Sequence, residues 1–139
     1  MGRKKKIKQR EAGKGKRFAP HDAEKKSYDQ QEPVFSLTQI RKDFCISKCG
    51  KDEKAAFADT LHRLSQKTWA EIKSSHRHGI GFEKIDRRSI KSGIPGYLRE
   101  DVSFIAFRFY GKAPMVGYRD KRLFHILWID REFKLYKHE

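Results

Sequence analysis

The stretch from Asp101 to His138 constrains the fold more than any other part of the chain. It reads DVSFIAFRFY, PMVGYRD, LFHILWID and FKLYKH, with the short breaks YGKA, DKR and DRE between runs rich in Val, Ile, Phe, Tyr and Trp. Breaks this short leave room only for hairpin turns, so the spacing predicts an antiparallel meander of three or four strands. The middle runs are apolar on both faces, as strands inside a covered sheet must be. Alternation in the first run places Phe104, Ala106 and Arg108 on one face and the bulkier Ile105, Phe107 and Phe109 on the other, the face expected to meet a helix. A regular last strand would put Lys134, Tyr136 and His138 on one face.

The helix to cover that sheet is read between Asp52 and Lys73. Phe57, Leu61, Leu64, Thr68 and Ile72 recur at steps of three and four, and Trp69 widens the stripe. Asp52 and Glu53 suit a positive helix start beside Gly50, and SSHRHG supplies the stop. Before the helix, VFSLTQI and DFCIS predict a strand or a short helix. After it, Gly81, Gly93, Pro95 and Gly96 punctuate a turn-rich connection that opens with a short strand through Phe82 and Ile85. The expected architecture is a single α+β domain over residues 33–139: an amphipathic helix packed on an antiparallel sheet of three to five strands.

Charge narrows the partners. The chain has 139 residues with 33 Lys and Arg against 18 Asp and Glu, a formal net charge of +15. Such a field draws phosphate backbones and releases their counterions, with RNA the expected partner; acidic proteins and anionic lipid are the other classes it fits. More than half of the excess lies in residues 1–26, which carry +8. Their only aromatic is Phe18, too little apolar surface to offset the entropy of ordering, so residues 1–32 are expected to form a disordered basic tail. Arg3, Lys4, Lys5 and Lys6 are its candidate nucleic-acid contacts, the alternative being a purely solubilising extension. No apolar run reaches the roughly 18 residues of a membrane span, and the N-terminus lacks the apolar core of a secretory signal, so a cytoplasmic or nuclear location is expected. Cys45 and Cys49 are read as reduced thiols; a zinc site recruiting His76 and His78 would be a weak version of the usual ligand spacing.

Phosphate loops, dinucleotide fingerprints, H-E-x-x-H patterns and nucleophile elbows do not occur, so neither cofactor nor metal is expected. RNA cleavage without metal needs a base for the 2′-hydroxyl, positive charge at phosphorus and a proton for the leaving oxygen. Arg108, Arg119, Tyr136 and His138 are the candidates, because neighbouring strands could bring them together. Arg87, Arg88, Lys91 and Lys134 are candidate phosphate contacts. Each has a plainer alternative: ion pairs of Arg108 or Arg119 with Asp101, Asp120 or Asp130, a solvated loop cluster at 87–91, a packed edge tyrosine at 136 and a loose terminal His138. His125, between Phe124 and Ile126, reads as a satisfied core histidine, and His76 and His78 suit a helix C-terminus.

From Lys54 to His138 the order of elements resembles the RelE/ParE-like toxin superfamily. The likeness rests on the helix, the HGIGFEKI to GIPGYL connection, the FIAFRF, MVGYRD and LFHILWID strands and the basic-aromatic ending LYKH. It implies a compact domain that cleaves messenger RNA on the ribosome, restrained by an acidic antitoxin. In nuclease members, arginines on middle strands and a Tyr or His near the C-terminal strand serve the reaction, which points again to Arg108, Arg119, Tyr136 and His138. The chain departs from the pattern in its basic tail, its segment before the helix, and Asp130 and Glu132 beside the expected site. Some members of the superfamily act on DNA gyrase instead. A noncatalytic RNA-binding or ribosome-associated module, and a protein-interaction module of a mobile element, are the alternative readings.

Overall fold

The computed structural model describes residues 27–76 and 79–138. The expectations for residues 1–26, including Arg3, Lys4, Lys5 and Lys6, and for His78 lie outside the described residues. The rest forms the expected α+β domain. Strands β1 (Val34–Ser36), β2 (Glu83–Ile85), β3 (Phe104–Tyr110), β4 (Ala113–Asp120) and β5 (Leu123–Ile129) make one sheet in the order β1-β5-β4-β3-β2. The β2–β3, β3–β4 and β4–β5 pairs are antiparallel, while β1 lies parallel to β5, with Phe35 opposite Phe124. That parallel edge mixes the sheet and gives the segment before the helix its place.

Helices α1 (Lys51–Ser65) and α2 (Trp69–Lys73) cover one face. The sequence pattern predicts a single helix here; the structure breaks it at Gln66–Thr68 for a local reason. The Thr68 hydroxyl accepts from the Glu71 N–H at 3.2 Å and the Glu71 carboxylate accepts from the Thr68 N–H at 2.9 Å, a reciprocal cap that starts a new helix. Thr68 is therefore a cap and not part of the apolar stripe. At the start of α1 the Glu53 carboxylate accepts from the Gly50 N–H, while Gly50, without a side chain, returns nothing. Thr68→Ala is expected to cost about 1 kcal/mol, the usual value of such a cap. A denaturant melt checks it, and an unchanged midpoint would mean α2 is held by packing alone.

The alternation read in β3 holds. Phe57 meets Phe109 edge-on, and Trp69, Phe107 and Phe124 pack into one cluster with Ile72, Met115 and Ile126. Trp69 and Ile72 are wholly buried, so α2, short as it is, anchors the helical layer. On the other face Phe104, Ala106, Val116, Leu127 and Trp128 form a second core. Leu127 and Trp128 are adjacent yet both belong to it, because the β4–β5 register shifts between Val116 and Gly117 and leaves an extra residue in β5.

What covers this second face differs from expectation. The FKLYKH run forms no strand; after β5 the chain turns at Asp130 and crosses the sheet, burying Leu135 and Tyr136. The 86–102 connection lies beside it, joined by the Lys91 N–H donating to the Leu135 carbonyl at 2.7 Å. A regular fourth hairpin would have left this apolar face open to water; the crossing segment closes it.

Residues 27–32, read from the sequence as the end of the tail, hold a turn of 3-10 helix at Tyr28–Gln30 and dock on α2, where the Trp69 N–H donates to the Gln31 carbonyl at 3.0 Å.

Candidate functional site

Three of the four residues singled out for chemistry meet on the face opposite the helices. Arg108 continues the Phe104–Ala106 row of β3 and lies opposite Pro114 of β4, while Glu83 of β2 lies opposite Ala106. Ala106 and Pro114 are short, so the sheet is recessed between larger neighbours. The crossing C-terminal segment walls the recess with Phe133, Tyr136, Lys137 and His138, and Lys112 closes it from the β3–β4 turn, leaving a hollow of about 190 Å³. Among the described residues lining it, Arg108, Lys112 and Lys137 outnumber the single carboxylate of Glu83, a balance that suits a phosphate.

The C-terminal segment owes its path to Asp130. This carboxyl is buried, 1 % exposed. Its Oδ1 accepts from the Lys134 N–H at 2.7 Å and its Oδ2 from the Leu135 N–H at 2.9 Å. The Phe133 N–H donates to the Asp130 carbonyl, and Phe133 takes a left-handed conformation at φ 59° to complete the turn. His138 then comes back over the turn, with Nε2 3.1 Å from Asp130 Oδ2. Its ring stacks on Tyr136 at 4.1 Å between centroids and receives the Phe133 ring edge-on. His138 is thus held on three sides.

Tyr136 has its hydroxyl pushed up to about 12, first by burial and then by the nearby carboxylates of Glu83 and Asp130, with Arg108 opposing. At neutral pH it is a phenol and a donor, not a base.

Arg119 does not join this group. It lies on the helical face, its guanidinium 4.4 Å over the Trp69 ring, paired with Asp29 and donating from Nε to the Lys121 carbonyl. Hydrogen bonds from Lys73 and then Arg119 hold the Asp29 carboxyl below its ordinary range. The physical reason is register. Arg108 faces Pro114, and five positions on, an odd number, alternation turns Arg119 to the other side.

The remaining candidates lie outside the hollow. Arg87 donates to the carbonyls of Leu98, Arg99 and Val102 and stacks over Phe104, tying the 86–102 connection to the sheet. Arg88 pairs with Asp86 and Lys134 with Glu132 at the exposed surface, where such pairs are weak and leave both cations open to a phosphate. Lys91 donates its backbone N–H to Leu135, and the residue itself is exposed. His125 is part-buried, stacked on Tyr118 and 3.4 Å from the Gln39 amide, whose oxygen accepts from the hydroxyls of Tyr118 and Tyr97. Cys45 and Cys49 are free thiols. Among the described residues no helix is long and apolar enough to cross a membrane.

Sequence reasoning missed Lys112, Lys137 and Glu83. Lys112 carried a signal, since it follows Gly111 in the turn next to Arg108; Glu83 carried none, because its place depends on the pairing of β2. A scan against protein-family models, a search of curated proteins and a search of solved structures each found no match.

Proposed function

We propose that the chain binds RNA and cleaves it without a metal in the hollow between β3 and the C-terminal segment, acting as a RelE-like toxin. The observation that carries this reading is the meeting of Arg108, Tyr136 and His138, from distant parts of the sequence, in one cationic recess. His138 takes the proton of the 2′-hydroxyl; O2′ bonds to phosphorus as the P–O5′ bond breaks; and Tyr136, protonated at neutral pH, gives its proton to the leaving O5′. Arg108 and Lys112 face the charge that grows on the phosphorane oxygens. The products are a 2′,3′-cyclic phosphate and a 5′-hydroxyl, and water restores both side chains to their starting states. Arg119 has no part in this scheme. An acidic antitoxin would neutralise the recess, and the ribosome would present the message.

The test is direct. Purified full-length protein, with chelator and with or without translating ribosomes, should cut RNA to cyclic-phosphate ends, and its induced expression should arrest growth. Tight binding without cleavage under all these conditions would overturn the nuclease and leave the noncatalytic RNA-binding reading, for which Tyr97, 61 % exposed, offers a stacking surface. Deleting residues 1–26, with their +8 charge, should flatten the salt dependence of RNA binding by roughly 0.7 in log–log slope for each phosphate that the tail neutralises. An unchanged slope would assign binding to residues 27–139 alone.

A further inference from the structure

We propose that Asp130 is a positioning residue for His138, fixing Nε2 as the protonated side of the imidazole and leaving Nδ1 as the nitrogen that accepts the substrate proton. The inference deepens the RNA-cleavage reading and rests on it for its substrate, while its geometry stands independently. Both oxygens of the buried Asp130 carboxylate already accept backbone N–H groups, from Lys134 and Leu135. A carboxylate held by such donors is an acceptor, so the His138 contact at 3.1 Å from Oδ2 draws the imidazole N–H to Nε2. The opposite nitrogen then carries the lone pair. Tyr136 stacked on the ring and Phe133 set edge-on against it oppose a ring flip that would put Cε1 in place of Nε2 and break the contact with Asp130.

Asp130 and His138 are eight positions apart in sequence, yet the same carboxylate organises the turn and orients the ring. This explains how a side chain next to the end of the described chain can hold one orientation at the wall of the hollow. It also gives a role to an acidic residue that otherwise sits badly beside a phosphate site: Asp130 is held by two backbone donors and the imidazole and does not itself line the recess.

Nitrogen chemical shifts of the 15N-labelled full-length chain, with His138 assigned by comparison with His138→Ala, should show a protonated Nε2 and an unprotonated Nδ1 for the neutral ring. Asp130→Asn should mix the two tautomers and lower kcat for cleavage of an oligoribonucleotide by about 100-fold, the lower end of what a positioned base contributes. KM should stay within about twofold, because Arg108, Lys112 and Lys137 are untouched. A protonated Nδ1 in the wild-type chain overturns the proposal, as does a folded Asp130→Asn variant with wild-type kcat. Should that variant fail to fold, the wild-type nitrogen shifts alone decide the tautomer. Wild-type protein that cleaves no RNA overturns the proton-accepting role together with the nuclease reading, whereas a wrong tautomer in an active nuclease overturns the positioning alone.

Discussion

His138→Ala is expected to slow RNA cleavage by about 1,000-fold, within the range for loss of a general base, and Arg108→Ala by about 100-fold or more, as for loss of a charge-stabilising donor. Arg119→Ala should cleave at close to the wild-type rate. The contrast follows from the two faces of the sheet. Arg108 and His138 line the same hollow, whereas Arg119 is stacked on Trp69 and paired with Asp29 on the helical side of the sheet. Its loss should appear as stability, about 1 kcal/mol from the stacking and hydrogen bonds together, because the part-exposed ion pair itself contributes little. Single-turnover cleavage of an end-labelled oligonucleotide, with a thermal melt of each variant, separates these effects. Equal loss of cleavage in Arg119→Ala and Arg108→Ala would move the chemistry off the proposed face.

Gly117→Ala should destabilise the domain by about 3 kcal/mol or more, a large share of the roughly 5–15 kcal/mol a domain of this size has. Gly117 lies in β4 where the extra residue of β5 crowds the two backbones together. A Cβ there would collide with the His125 carbonyl oxygen and press on the Ile126 backbone. Neither neighbour is a flexible side-chain end, so the central strand pair must separate, and both cores depend on it. Gly93→Ala is the control, since nothing lies within 4 Å of a Cβ at that position; it should change stability by less than about 0.5 kcal/mol. Urea melts of the two variants give the comparison, and a Gly117→Ala midpoint close to that of Gly93→Ala would show that the bulge can relax.

The candidate site was legible in part, and the missing part has a consistent cause. Arg108, Tyr136 and His138 could be named from residue type and position. Tyr136 and His138 were expected to share a face because a strand has a period of two, yet they meet here by ring stacking in a segment that is no strand. Arg119 looked equivalent to Arg108 because both are arginines on neighbouring strands. Whether they share a face depends on the pairing of Arg108 with Pro114, and the turn that sets this register includes a β3 irregularity near Phe109 that residue pattern does not reveal. Asp130 was visible as an acidic residue out of keeping with a phosphate site. Its value comes from the turn it builds, which depends on the conformation of Phe133.

By itself the sequence determined what local chemistry controls. Alternation in Phe104–Tyr110 assigned the helix-facing side, and the three- and four-residue spacing of Phe57, Leu61 and Leu64 assigned the helix; Thr68 with Glu71 is a local cap signal too, but the stripe pattern read through it. Each of these depends on neighbours within about four residues, which the order of amino acids states outright. Only the tertiary structure decided the parallel docking of β1 on β5, the separation of Arg108 from Arg119, and the return of His138 to Asp130. These depend on strand register and on which surface most needs cover. The apolar face of Val116, Leu127 and Trp128 needed it, and the segment that supplied it carried Tyr136 and His138 to the wall of the hollow.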